Sequence, residues 1–442
     1  MNLAEMLSYR NALDQRMGSL IHSPPRCKAF KAATGAFLNR LNQSFLKRCF
    51  TIALAVSGIA FTSHPSMAQD SSEKLPDHLT SFFSSLDARS IPASRSLTKI
   101  SWWGDSAVAG DGYTGQLRKR LQERFGDGGA GIVLPDPTFK GYLHKQVRLR
   151  RNNWSTESAL HRNLKHRRYG LAGIALQSYG GASSTFLARN DGYDRVTVFF
   201  RGAPKRGLLQ VYADEEGLPR TEHLTHRDTV DDTTWTYTLS KPSTWIRVRA
   251  AGKGSVELYA VALERSTGGV VLDTMGQVGL RARGLLRIDE AHFANQVALR
   301  SPNLVAVHFG GNERVDARLT KEKHQGEIES LLTRLKRGAP GASCVVVGPL
   351  PHGKRSRGKV ILDPRLTIIA NAQKDAANSK GCAYYDSIAH FGGAEGLQAM
   401  VKDRLLAKDM AHLTTRGHQK MGNLIADWLF KQYDASKTAP SL

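Results

Sequence analysis

The chain has 442 residues, 41% of them hydrophobic and 23% charged, which excludes a disordered or low-complexity polymer and leaves room for sizeable cores. The formal net charge is +23. That excess suits an anionic polymer partner through long-range attraction, with merely solubilising charge as the plain alternative. No nucleic-acid-binding motif interleaves the basic residues, so a nucleic-acid partner is set aside.

Residues 1–68 read as a signal-peptide region. Residues 42–48 are polar and basic, 49–61 form an apolar run, and Ser66-Met67-Ala68 is a small-x-small cleavage site before Gln69. The apolar run is short for a membrane span. A single anchor or a buried helix is the alternative, and translation starting at Met17 would give a more ordinary leader. Cleavage near Ala68 predicts a periplasmic or secreted protein. It would remove eight Lys/Arg and two Asp/Glu, leaving (62 − 8) − (39 − 2) = +17. Cys344 and Cys382 then remain, each beside a β-like run. They can form one disulfide or stay as two buried thiols, and neither has metal-ligand spacing.

In chain order, 69–96 reads as a linker with one helical piece, followed by a strand over 97–103 and a helix over 112–125 that stops at the glycine cluster 126–129. These open an α/β domain over 97–150. From 151 to 266 short β-rich runs recur about every 10 residues, at 195–200, 208–213, 233–239, 244–250 and 255–263, as in a β-sandwich or jelly roll. The strand–helix alternation returns over 267–433, with buried-type strands at 304–309 and 344–347. Helices are predicted at 322–336, 367–379 and 417–433, before a tail at 434–442.

Three segments at predicted strand or loop ends could carry chemistry. Ser106, in Gly104-Asp105-Ser106, lies between a strand and a helix, where its hydroxyl reaches the carboxyl edge of the sheet. Asn312 follows Gly310-Gly311 at the next strand end and could donate to a developing oxyanion; an ordinary turn is the bland reading. Asp409 and His412, three residues apart, could pair so that the carboxylate holds the imidazole towards a nucleophile.

Together these segments resemble the SGNH (GDSL-like) hydrolases, a superfamily of esterases, lipases and acyl-transfer enzymes. The resemblance implies a flavodoxin-like three-layer α/β/α domain with a parallel sheet, here interrupted by the β-sandwich insert. It implies Ser106 as nucleophile, His412 and Asp409 as the rest of a triad, and an oxyanion hole from the Ser106 N–H, the Asn312 amide and the Gly279 N–H. Gly276 is the alternative to Gly279. No metal or cofactor is implied. Two positions depart from the family pattern: Glu313 stands where Asp is usual, and Gly311 where Thr is common.

A β-sandwich between the first and second motifs is similar to the arrangement in Gram-negative peptidoglycan O-acetylesterases, which carry a carbohydrate-module-like insert at this place. The insert's Trp235, Tyr237, Trp245 and Tyr259 could stack on sugar, although core packing is the commoner use. His144, Lys145, Arg148, Arg150 and Arg151 form a basic run that a glycan or only solvent could meet. The leading expectation is an exported esterase removing O-acetyl groups from a cell-envelope polysaccharide, peptidoglycan being the favoured target. The alternatives are an O-acetyltransferase with the same triad and a non-catalytic polysaccharide-binding protein.

Overall fold

The structure, a computed structural model, describes residues 77–88, 94–137, 139, 141–214, 216–223, 228–356 and 359–438. The signal-peptide region with its Ala68 cleavage site lies outside these residues, as do Cys27, Cys49, the first part of the expected linker and the end of the tail. Within the stretch expected as linker, helix α1 (Thr80–Asp87) buries Phe82, Phe83 and Leu86.

Strand β1 (Leu97–Gly104), helix α2 (Ser106–Ala109) and helix α3 (Tyr113–Phe125) follow. Next comes a run of antiparallel strands: β2 (Gly129–Val133), β3 (Val147–Asn152), β4 (Ser155–Ser158), β5 (Ile174–Ser178), β6 (Ser183–Ala188), β7 (Tyr193–Gly202), β8 (Leu208–Ala213), β9 (Glu216–His223), β10 (Asp231–Ser243), β11 (Trp245–Ala251) and β12 (Val256–Glu264). The alternation resumes with β13 (Gly269–Gly276), α4 (Ala282–Leu285), α5 (Glu290–Arg300), β14 (Leu304–His308), α6 (Lys321–Gly338) and β15 (Ser343–Val347). A hairpin of β16 (Gly353–Ser356) and β17 (Lys359–Leu362) precedes α7 (Arg365–Ser379), β18 (Ala383–Tyr385), α8 (Ser387–His390), α9 (Gly393–Lys402) and α10 (Thr415–Thr438).

The parallel sheet runs β13-β1-β14-β15-β18, which is the 2-1-3-4-5 order of a flavodoxin-like sheet once the antiparallel strands are set aside. Both its faces are covered, so β13, β14 and β15 are buried along their whole length rather than alternating. Adjacent residues of β1 show the layering. Ile100 and Trp102 pack into the core with α1, α3 and α10, while Trp103 packs into the core with α5 and α6. Each indole N–H finds an acceptor: Trp102 donates to the Tyr113 hydroxyl at 2.9 Å and Trp103 to the Leu171 carbonyl at 2.8 Å.

The antiparallel strands form two sheets, β10-β7-β12-β5-β4 with β2 beside β12, and β3-β6-β11-β8-β9. Their inward residues, such as Val198, Leu258, Val211 and Val248, share one core. The sandwich begins at Gly129, earlier than the expected boundary at 151. The glycines of β2 look like a helix stop in sequence, but positive φ at Gly129 (109°) and Gly131 (74°) lets the chain pass close to Glu264 and Asp273. The basic run enters β3, whose burial alternates only weakly.

A buried ionic knot ties sandwich to parallel sheet. Arg300 of α5 donates to both oxygens of Asp273 on β13, at 2.7 and 2.8 Å, and to Glu264 on β12 at 2.6 Å. Asp273 also accepts from Ser101 at 2.7 Å and from the Ile132 N–H at 2.8 Å. The disulfide expected as one alternative is present: Cys344 on β15 is bonded to Cys382, just before β18, the neighbouring strand.

Candidate active site

Ser106 opens α2 at the carboxyl end of β1, beside the point where the sheet order reverses between β1 and β14, the usual place for a ligand in such sheets. Asp105 caps this turn, its side chain accepting the Ala107 N–H at 2.9 Å. The Ser106 hydroxyl lies 3.1 Å from His412 Nε2. His412 Nδ1 lies 2.6 Å from Asp409 Oδ2. Hydrogen bonding to a carboxylate puts the ring proton on Nδ1 and leaves Nε2 as an acceptor for the Ser106 O–H.

The 409–412 segment is a self-capped loop rather than a helical turn. Asp409 Oδ1 accepts the N–H groups of Ala411 at 2.9 Å and His412 at 3.0 Å, and Met410 takes positive φ (58°). Partial burial works against ionisation of Asp409, but those N–H groups and the imidazole outweigh it and hold its carboxyl down at about 2.

Asn312 sits beyond the end of β14, and its Nδ2 donates to the Leu280 carbonyl at 3.0 Å, leaving a second amide hydrogen to offer. The two glycine candidates behave differently. A Cβ on Gly276 would come within 2.3 Å of the Ala109 nitrogen, so Gly276 serves the close approach of β13 to α2. Gly279 has φ +85° and open space where a Cβ would stand, so its loop is the one free to present a backbone N–H.

Glu313, a departure from the family pattern in sequence, proves to be a brace. It is buried; Oε1 accepts the Ala282 N–H at 2.9 Å and Oε2 the Gly310 N–H at 3.0 Å. One carboxylate thus joins the loop after Gly279 to the loop before Asn312. The extra methylene relative to Asp gives the reach to span both. Gly311 in turn leaves room for Asp105, whose Oδ2 a Cβ at 311 would meet at 2.9 Å. Burial, and then the charge of Glu313, push Asp105 up to about 7 against the N–H groups of Ala107 and Gly311.

Three further histidines surround the site, and no motif in the sequence marks them. Trp102 can only donate to the Tyr113 oxygen, so the Tyr113 O–H donates to His308 Nδ1, at 2.6 Å. Burial, reinforced by His352, pushes His308 down to about 3. Burial likewise pushes His352 and His418 down to about 4, helped by Arg314 and His412 in one case and by Lys145 and His412 in the other. All three are therefore neutral polar walls near pH 7. For His308 the only sequence signal is a lone polar residue in an apolar run, Val307-His308-Phe309, whereas His418 stands among polar residues and glycine and carries none.

Ser106, Asn312, His308, Leu350 and His412 border a cavity of about 160 Å³. Among the described residues no group of three or more His, Cys, Asp or Glu is placed to hold a metal ion. The insert's aromatic residues lie apart from this cavity. Tyr259 is buried with its hydroxyl donating towards Asp232 and Glu257, so it is core rather than a stacking platform. Trp235 and Tyr237 are half-buried and stacked on each other at 6.3 Å. In the basic run, His144 is buried, 3.9 Å from Asp111, while Lys145, Arg148, Arg150 and Arg151 are exposed.

Residues 235–420 match the GDSL-like Lipase/Acylhydrolase family. That segment holds Gly279, Asn312, Asp409 and His412 and begins after Ser106. No curated protein sequence matches the chain. The chain is similar to the solved structure of a peptidoglycan O-acetylesterase, with 22% identity and a TM-score of 0.69, covering 80% of this chain and 96% of that one. An acetyl xylan esterase from Geobacillus stearothermophilus matches at 20% identity and TM-score 0.28, over 37% of this chain and 73% of that one. A family two carbohydrate esterase from Cellvibrio japonicus matches at 11% identity and TM-score 0.27, over 65% and 99%. Residues 235–420 are thus similar to a GDSL-like lipase/acylhydrolase domain, and the fold resembles that of a peptidoglycan O-acetylesterase.

Proposed function

We propose that the protein is an exported O-acetylesterase acting on a cell-envelope polysaccharide, with peptidoglycan as the favoured substrate. The observation that carries the reading is the unbroken chain Ser106–His412–Asp409, at 3.1 and 2.6 Å, opening on a cavity of about 160 Å³. A space of that size suits a short acyl group rather than a fatty chain. The sandwich at the place where peptidoglycan O-acetylesterases carry an insert supports a polymeric alcohol side.

In this mechanism His412 Nε2 takes the Ser106 proton as Oγ attacks the ester carbonyl. The N–H groups of Ser106 and Gly279 and the Asn312 amide stabilise the oxyanion. Collapse breaks the ester C–O bond, and the His412 proton passes to the leaving sugar oxygen. A water deprotonated by His412 then attacks the acetyl-Ser106 ester and releases acetate. Transfer of the acetyl group to a sugar hydroxyl is the second reading. It uses the same intermediate, and the half-exposed triad leaves the acceptor open to either.

The test is to follow O-acetylated peptidoglycan with wild type and Ser106→Ala, measuring free acetate and acetyl groups moved to a second glycan. Acetate release by wild type alone supports the esterase. Transfer in its place establishes the acyltransferase, and equal behaviour of the two proteins removes the triad from the reaction.

A further inference from the structure

A second and larger cavity, of about 820 Å³, lies on the other side of His418 from the acyl cavity, so the two share that residue as a wall. Its size is within the roughly 300–1,000 Å³ of cavities that enclose whole ligands. Leu143 stands at its edge, 61% exposed, an apolar surface that the rest of the core does not use. The other walls are glutamine amides and glycine backbone, with the ammonium groups of Lys119 and Lys145 and the carboxylates of Glu123 and Asp127.

Those walls are built rather than incidental. Gln122 donates its amide to the Gly129 and Val270 carbonyls, at 2.8 and 3.0 Å, and its Oε1 accepts from Gln146 Nε2 at 2.8 Å. This relay fixes the Gln146 side chain and leaves Gln146 Oε1 buried without a partner among the described residues. Lys145 is held by its backbone: its N–H donates at 2.7 Å to Asp111, which Arg118 grips through both carboxylate oxygens at 2.9 Å. The Lys145 side chain is exposed, and among the described residues no carboxylate comes within ion-pair distance of its ammonium group. The two carboxylates on the cavity wall already have cations, Glu123 with Lys119 and Asp127 with Arg265, each at 3.6 Å.

The wall chemistry decides between ligand classes. A phosphate-rich polyanion needs several clustered cations and would meet Glu123 and Asp127. A lipid needs a continuous apolar lining, which amides interrupt. Amides that donate and accept, one apolar contact and an ammonium group with no carboxylate of its own fit sugar rings carrying an isolated carboxylate.

We infer that this cavity is the alcohol-side subsite, binding an acidic glycan whose carboxylate pairs with Lys145 while its acetyl ester passes His418 to reach Ser106. The inference rests on the esterase reading for its orientation but is separable from it by direct binding. The full chain carrying Ser106→Ala, with and without Lys145→Glu, is titrated with two probes. One is an O-acetylated peptidoglycan fragment bearing a free carboxylate, and the other is a neutral O-acetylated xylo-oligosaccharide. Lys145 is exposed, so the substitution leaves the core intact. The expected result is a loss of at least about tenfold in affinity for the acidic probe, the size of one charge-assisted hydrogen bond, and a much smaller change for the neutral one. Raised salt should weaken the acidic probe only in the protein that keeps Lys145. Equal loss for both probes, or no loss for either, overturns the subsite. If the acidic probe binds as expected but wild type releases no acetate from it, the esterase reading fails while the subsite stands.

Discussion

The Asn312 amide donates to the Leu280 carbonyl across 3.0 Å, so the residue at the end of β14 is aimed by the loop that carries Gly279. One hydrogen is used for aim and the other is left for the substrate. Asn312→Ala should therefore lower kcat by roughly 10²–10³-fold with little change in KM, as loss of one oxyanion donor does. Steady-state hydrolysis of p-nitrophenyl acetate reads this directly. A change confined to KM would remove Asn312 from the oxyanion hole.

Glu313 should act through position rather than contact. In Glu313→Gln one acceptor oxygen becomes an NH₂ group facing the N–H of Ala282 or Gly310, two donors in opposition. Stability should fall by about 1–3 kcal/mol in urea unfolding, and kcat should drop roughly tenfold with KM nearly constant. Glu313→Asp, too short to reach both loops, should not rescue kcat.

Asp409 sets both the tautomer of His412 and the shape of its loop. Asp409→Asn presents an amide that can no longer hold the imidazole as a strong acceptor, and kcat should fall by about 10⁴-fold, as in triads of the same geometry. Mixing this change with Ser106→Ala should add almost nothing, because residues of one triad act as a unit.

Asp105 predicts a pH dependence of stability. Its carboxyl titrates at about 7 in the folded protein, with burial the main cause, against an ordinary 3.8 in the unfolded chain. Between those values the unfolded chain has released this proton while the native protein keeps it. Stability from this group is therefore complete below about pH 4 and is lost as pH rises towards 7. The loss is on the order of a few kcal/mol. Chemical unfolding of wild type and Asp105→Asn at pH 4 to 8 should show a shallower decline in the variant.

The Cys344–Cys382 bond closes a separation of 38 residues. Replacing both cysteines with alanine should cost roughly 2–4 kcal/mol of stability while leaving ester hydrolysis intact, since neither borders the acyl cavity.

Ser106, Asn312, Asp409 and His412 stood out as candidates because each follows a predicted strand end or turn, but their roles came only from the resemblance to the SGNH hydrolases. The choice between Gly276 and Gly279 was not legible, because it depends on how near β13 passes to α2. Glu313 looked like a neutral departure, since its two partners lie at 282 and 310 and only folding brings them together. The basic run hid strand β3, whose arginines face solvent, and it hid the different fate of His144, which burial removes from the surface. The disulfide stayed one of two alternatives until β15 and β18 were seen to be neighbours.

Whether Ser106 carries the acyl group can be read from the mass of the intact protein. Brief exposure to an activated acetyl ester followed by acid quench should add one acetyl group to wild type, mapped to the peptide containing Ser106. A protein that hydrolyses the ester yet carries its acetyl group elsewhere, or that is labelled equally in Ser106→Ala, would contradict the account.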